Sequence, residues 1–182
     1  MGRIVATVMT SLDGVTESPG DWGMRYFDED AQRDSLKRLM ISDAMLMGRL
    51  TYEALGAAWS QRHGAFADRI NSIRKYVFSS TMQVAPWANS LVVAGDVVEE
   101  TRKLKSTSSG DLTIFGFGKL PRALFAADLL DELRMAINPV LVGRGDGFAS
   151  QRSRRDLKLV SSETLPTGVV VLTYRPSAAS GS

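Results

Sequence analysis

Short apolar strands alternating with helical patterns constrain this chain more than any other feature. "RIVATVMTSLDG" is a Val- and Ile-rich run that ends in a turn at Asp13-Gly14. "VTESPGDWG" is loop by its Pro and Gly content, and residues 28–41 then set apolar positions 36, 39 and 40 behind an acidic start, which predicts a helix. "DAMLM" predicts the second strand, and "TYEALGAAW" and "FADRINSIRK" two helices, the latter with Phe66, Ile70 and Ile73 on one face. "YVFSS", "SLVVAG" and "DLTIFG" predict three further strands; "DVVEETRKLK" between the last two starts with an N-capping Asp96 and ends in basic residues, as the helix dipole prefers. "FGKLPRALFAADLLDE" predicts a helix with Pro121 in its first turn, and "LRMAINPVLVG" a sixth strand broken near Asn138-Pro139. "LKLVSSETLP" and "GVVVLTYRP" close the chain as an antiparallel pair around Thr167-Gly168. Such alternation predicts an α/β fold with a mostly parallel sheet covered on both faces and made mixed by the final hairpin.

Composition narrows the chemistry. With 182 residues, no repeat and no low-complexity linker, one domain over 1–176 is expected, followed by a frayed tail at 177–182. Twenty-two Lys and Arg against 20 Asp and Glu leave a net charge of +2, which makes no basic stripe of the kind that nucleic acid selects. No cysteine is present, which removes disulfides, thiolate nucleophiles and cysteine metal sites together. The single histidine, His63, lies in the polar stretch "SQRHGAF" and reads as a solvated loop residue; "DED" at 28–30 reads as an acidic first helical turn and not as a metal site. There is neither a signal pattern nor an apolar run near 18 residues, so no membrane partner and a cytoplasmic location are expected.

In open α/β sheets ligands bind outside the carboxyl ends of the strands, where strand-to-helix turns present N–H groups. Three junctions carry residues suited to an anion. After the second strand come Gly48, Arg49 and Thr51: the glycine admits a close backbone approach, the helix start offers donors, and the guanidinium can fork onto a phosphate. "IFGFGKL" repeats the logic with Gly116, Gly118 and Lys119, and "VFSSTM" supplies the hydroxyls of Ser79 and Ser80. Two glycine-bearing helix starts, each with a cation, suit a diphosphate bridge. Each piece alone also has a plainer reading, a tight turn for the glycines and a surface ion pair for Arg49.

Together, "SLDGV", "LMGRLTYEAL", "KYVFSSTM" with "WANS", "IFGFGKLPRALFAADLLDEL" and "INPVLVGRG" resemble, in order and spacing, the dihydrofolate-reductase-like superfamily. The likeness, over residues 3–175, is to the branch holding the C-terminal reductase domain of bifunctional riboflavin-biosynthesis proteins and their small stand-alone relatives. It implies a three-layer fold with a mixed eight-stranded sheet, NADPH bound across the strand ends, and a homodimer. It further implies Gly48, Arg49 and Thr51 at the phosphates, with Arg49 near the adenosine 2′-phosphate; Ser79 and Ser80 at the adenosine half; Gly116, Phe117, Gly118, Lys119 and Leu120 around the diphosphate; and Asp13 and Gly14 beside nicotinamide and substrate.

The departures are informative. Phe117 stands where relatives carry Gly or Ser, so its side chain must turn from the cofactor or stack on it. The acid that dihydrofolate reductases hold in their first helix has no clear counterpart: Asp30 and Asp34 are near, the register points closer to Arg33, and the supporting threonine is Ala136. Folate reduction is thereby disfavoured. The expected activity is hydride transfer from NADPH to a small heterocyclic or carbonyl substrate in a space lined by Asp13, Trp22, Tyr26 and the 28–41 helix. Asp13 is the expected proton-handling or substrate-orienting group; its plainer reading is an Asp-Gly turn former. Trp22 and Tyr26 suit either a flat ring or lid packing, Trp59 and Trp87 read as structural, and Met40, Met45 and Met47 as core filler. Two alternatives remain: a promiscuous reductase of pterins, pyrimidines or carbonyl compounds, and a nucleotide-binding or dimer-forming module without turnover.

Overall fold

Apolar runs as short as these cannot bury themselves singly, and in the computed structural model, which describes residues 1–145 and 155–177, they are collected into one sheet. In chain order the elements are β1 (Ile4–Ser11), α1 (Pro19–Trp22), a 3-10 turn at Met24–Tyr26, α2 (Glu29–Met40), β2 (Ser42–Gly48), α3 (Arg49–Trp59) and α4 (Ala65–Ser72). β3 (Arg74–Phe78), β4 (Ser90–Val93), α5 (Val97–Thr107), β5 (Asp111–Phe115), α6 (Lys119–Ala126) and β6 (Glu132–Asn138) follow, and β7 (Leu157–Thr164) and β8 (Val170–Pro176) close the chain. The eight strands run in the order β4-β3-β2-β5-β1-β6-β8-β7. Pairings from β4 to β6 are parallel, and those of β8 with β6 and β7 antiparallel, so the expected mixed sheet with its closing antiparallel pair is present.

Alternation along the central strands splits the core in two. Ile4, Ala6 and Val8 of β1 join Ala44, Leu46, Leu112 and Ile114 under α6, where Leu120, Leu124 and Phe125 pack. On the opposite face Met45, Met47 and Val77 meet Leu39 of α2, Tyr52 and Trp59 of α3, and Phe66 and Ile70 of α4. Met45 and Met47 are core as expected, whereas Met40 is 63% exposed because it ends α2 one residue past the buried Leu39. Trp59 and Trp87 are buried, and their rings meet Phe66 and Tyr52 respectively.

The amino ends of the strands are tied by charge. Arg3 donates to both carboxylate oxygens of Asp111 (2.9 and 2.7 Å), and the buried Glu132 accepts from Arg3 and Arg175. These bonds lock β1, β5, β6 and β8 together at the end remote from the helix-start junctions.

Several element boundaries differ from the sequence expectation: the third strand, expected over 76–80, is Arg74–Phe78, and the segment read as loop over 15–23 holds α1. The helix expected over 66–75 ends at Ser72, because Ile73 adopts extended dihedrals and Arg74 enters the ladder with β2. The helix expected over 117–132 is confined to Lys119–Ala126. The sixth strand stops at Asn138: the backbone beyond it leaves the ladder, Val140 accepting from the Leu12 N–H (2.8 Å) and Leu141 standing 70% exposed. Apart from Ser177, the expected tail lies outside the described residues. Among the described residues no helix is long and apolar enough to cross a membrane.

Candidate functional site

The cleft is marked first by missing cover. Thr7 and Met9 of β1, Phe115 of β5 and Ala136 of β6 sit on one face of central strands yet are only half-buried, so the helical layer is open above them. The segment between β1 and α2 leans over this gap: a Cβ on Gly23 would meet the Met9 methyl at 2.9 Å.

At the carboxyl ends of β2 and β5, neighbours in the sheet, the glycines are unusual. Gly2 and Gly110 are forced by crowding, since a Cβ there would meet backbone or carboxylate atoms at 2.5 and 2.6 Å. Gly116 needs its left-handed φ of 87°. Gly48 and Gly118 have neither reason: their φ values are −80° and −79°, and a Cβ would meet nothing within 4 Å. Both are N-caps, of α3 and α6, and neither helix start receives a side-chain hydrogen bond. Of the other long helices, α2 and α5 are capped, Asp28 accepting from the Ala31 N–H at 3.0 Å and Asp96 from Val98 and Glu99 at 2.9 Å, whereas α4 starts behind Gly64 with no side-chain cap. The two cleft helices thus present free space and uncapped N–H groups side by side, an arrangement suited to phosphate oxygens.

The charged groups at these starts are available. Arg49 is half-exposed and among the described residues makes only a 3.8 Å approach to Glu53, one turn on, while Lys119 is exposed. Thr51 is partly exposed in the first turn of α3. Ser79, after β3, uses its Oγ to accept from the N–H groups of Thr81 (3.2 Å) and Met82 (3.0 Å), which fixes the turn and leaves its O–H to donate; Ser80 is exposed beside it. Strands β3, β2, β5 and β1 are successive in the sheet, so Ser79, Arg49, the Gly116–Lys119 turn and Asp13 line up along about 14 Å of strand ends.

Phe117 turns away from the cleft. It is buried in the core cluster, edge-on to Phe125 at 6.4 Å, with the Arg122 guanidinium over its ring, and Leu120 is buried in the same cluster. Only the backbone of these two residues faces the turn. Asp13 closes the other end: its carboxylate accepts from Ser11 Oγ (2.5 Å) and from the N–H groups of Val142 and Gly143 (3.1 and 2.8 Å). These bonds hold its pKa down at about 2 against an ordinary 3.8, Ser11 contributing most. Trp22 donates its indole N–H to the Glu17 carbonyl at 3.0 Å, and the Tyr26 hydroxyl reaches the Pro139 carbonyl at 3.2 Å, so both aromatics brace the segment that overhangs Met9. His63 is 93% exposed, as its loop setting predicts.

The sequence reading missed one feature of the floor. The residue of α2 that faces the sheet is Asp34; Arg33 points outward and pairs with Asp30 at 2.6 Å. Asp34 meets Arg134 of β6 at 3.0 and 3.3 Å, the two side chains being only 13% and 2% exposed. A spacing of three from the buried Ala31 is the signal that would have placed Asp34 inward.

A protein from Shewanella sp. PV-4, provisionally assigned to riboflavin biosynthesis, superposes with a TM-score of 0.76 at 20% identity, over 97% of this chain and 99% of that one. Dihydrofolate reductase from Enterococcus faecalis, solved with NADP(H), gives 0.67 at 18% identity, over 97% of both chains. At these identities the likeness establishes the fold. In sequence, the YyaP protein of Bacillus subtilis (strain 168) is 28% identical over 94% of each chain. The model of the RibD C-terminal domain matches residues 3–171, and the chain therefore belongs to the RibD C-terminal domain family.

Proposed function

We propose that this protein is an NADPH-dependent reductase of a small heterocyclic or carbonyl substrate. The observation that carries the reading is the pair of glycine N-caps, Gly48 and Gly118, which nothing in the packing or backbone of the described residues requires. In this reading the diphosphate lies over the starts of α3 and α6, taking N–H groups of Thr51 and of Lys119 and Leu120, with the Lys119 ammonium alongside. Gly116 lets the β5 turn pass close beneath it. Arg49 holds the adenosine 2′-phosphate through a charge-assisted fork, and Ser79 and Ser80 bond the adenosine half. Bound there, NADPH supplies the hydride, and the chain supplies placement and exclusion of water.

Asp13 acts in this account as a positioning group. A carboxylate with three donors already on it and a pKa of about 2 stays ionised at neutral pH and releases no proton. It fixes Val142 and Gly143 against the end of β1, which forms one wall at the nicotinamide end. Trp22 and Tyr26 form the overhang that closes the substrate space. The exposed apolar side chains of the edge strand β7, Leu159 and Val160, support a homodimer joined through that edge.

The test is coenzyme binding followed by turnover. Arg49→Ala is expected to weaken NADPH by roughly 1.5–3 kcal/mol, the worth of a hydrogen bond to a charged group, and NADH much less. Equal loss for both coenzymes overturns the 2′-phosphate assignment. Binding without oxidation across pyrimidine, pterin and carbonyl substrates favours a non-catalytic nucleotide module.

A further inference from the structure

We propose that the Arg134–Asp34 pair determines which substrates the cleft accepts, an inference that rests on the cleft being the substrate site of a reductase. Arg134 lies on β6 beside the half-buried Thr7 of β1 and two residues before the half-buried Ala136, on the same face of the sheet. It is itself buried, next to the residues over which the helical layer opens. One of its terminal nitrogens donates to both oxygens of Asp34, while its buried Nε–H has no partner among the described residues. A buried guanidinium N–H left unsatisfied marks a place for an acceptor, because buried polar groups in folded proteins are otherwise almost always paired.

The chemical consequence is a matter of sign. A free Asp34 would offer an acceptor to an amidinium-like ring edge, which matches a carboxylate with two parallel N–H groups as arginine does. With Arg134 on that carboxylate, the floor offers donors instead. It selects a ligand that presents a carbonyl, enolate or carboxylate oxygen and rejects cationic diaminopyrimidines. Rejection comes from like charge and from the occupied acceptor, so specificity here is built partly from repulsion.

The probes are orotate, a pyrimidinedione carboxylate, and 2,4-diamino-5-benzylpyrimidine, titrated against tryptophan fluorescence with and without saturating NADPH. The wild type is expected to bind orotate at least tenfold more tightly than the diaminopyrimidine, and Arg134→Met to reverse that order. Asp34→Asn keeps the donors, removes the competing carboxylate and is expected to tighten orotate at least threefold; it keeps the proposal testable where Arg134→Met fails to fold, as circular dichroism would show. A wild type that prefers the diaminopyrimidine, or folded variants that leave the preference unmoved, overturns the proposal. NADPH binding is read separately: its loss with the ligand preference intact counts against the reductase reading and not against this pair.

Discussion

Asp13 shows how much of a carboxylate's setting lies far from its neighbours in sequence. An Asp-Gly step at a strand end reads equally as a turn former and as a proton-handling or substrate-orienting group, and two of the donors that hold it lie 129 and 130 residues away, in the N–H groups of Val142 and Gly143. Because the folded-state pKa is depressed, the folded protein binds fewer protons than the unfolded chain between pH 3.8 and about 2. The resulting stabilisation is complete above pH 3.8 and is lost as pH falls through about 2. Asp13→Asn is therefore expected to flatten the fall in melting temperature between pH 4 and pH 2, as read by circular dichroism. An unchanged acid limb would mean that those hydrogen bonds do not persist in solution. Phe117 gives the matching case: of the two orientations open to it, packing against Phe125 selects the one that clears the turn.

At the scale of elements, the buried Lys75 explains how α4 is joined to β3. Its ammonium donates to the carbonyls of Asn71, Ile73 and Ala88 at 2.9–3.0 Å and lies 4.4 Å from the Trp87 ring centre. It thus satisfies the carbonyl end of the helix, where a cation is favoured, and pins the loop before β4. Burial, with a smaller contribution from the nearby Arg69, pushes its pKa down to about 8 from 10.5. Between those values the unfolded chain holds the extra proton, so this residue makes stability rise with pH across the window. Lys75→Met is expected to abolish that rise and to cost roughly 1–3 kcal/mol through the unpaired carbonyls, measured by urea unfolding at pH 8 and pH 10. A variant with the wild-type pH slope would contradict the assignment.

The same scale shows what the sequence could disclose. Helix α2 was legible from its acidic start and periodic apolar positions, and α5 from its capping Asp96 and basic end. β1, β2 and β5 were legible because central parallel strands are buried on both faces and read as unbroken apolar runs. Val140, Leu141 and Val142 mimic such a run, yet Val140 and Val142 bond the loop after β1 rather than a strand. The helix-start glycines of the cleft were legible as residues, but not that packing left them unexplained. The Asp34–Arg134 pair was illegible because its partners are 100 residues apart and meet only when α2 lies across β6.

Across the whole molecule, charge and chemistry are segregated by strand polarity. Glu132, Arg3 and Asp111, joined by Arg175 from the carboxyl end of the antiparallel β8, fasten the amino ends of the parallel strands, while their carboxyl ends carry glycines, uncapped helix starts and loosely paired cations. A parallel sheet enforces this division, since all its strand-to-helix turns fall at one end. The sheet has two edges, and β7 leaves Leu159 50% and Val160 47% exposed at one of them. Light scattering is expected to give the mass of two chains, and Val160→Lys to shift it toward one chain without changing the circular dichroism spectrum. A wild-type monomer would remove the edge from the account.

The central claim, that the strand ends grip a two-phosphate coenzyme, is tested most directly by titrating NADPH into the wild type and Gly118→Ser, read by nicotinamide fluorescence. Extended backbone at position 118 accommodates serine, and a serine N-cap gains a few tenths of a kcal/mol over glycine. The account predicts an apo variant at least as stable as the wild type whose NADPH affinity is at least tenfold weaker. Equal affinity in the two proteins, or no binding by the wild type, would contradict it.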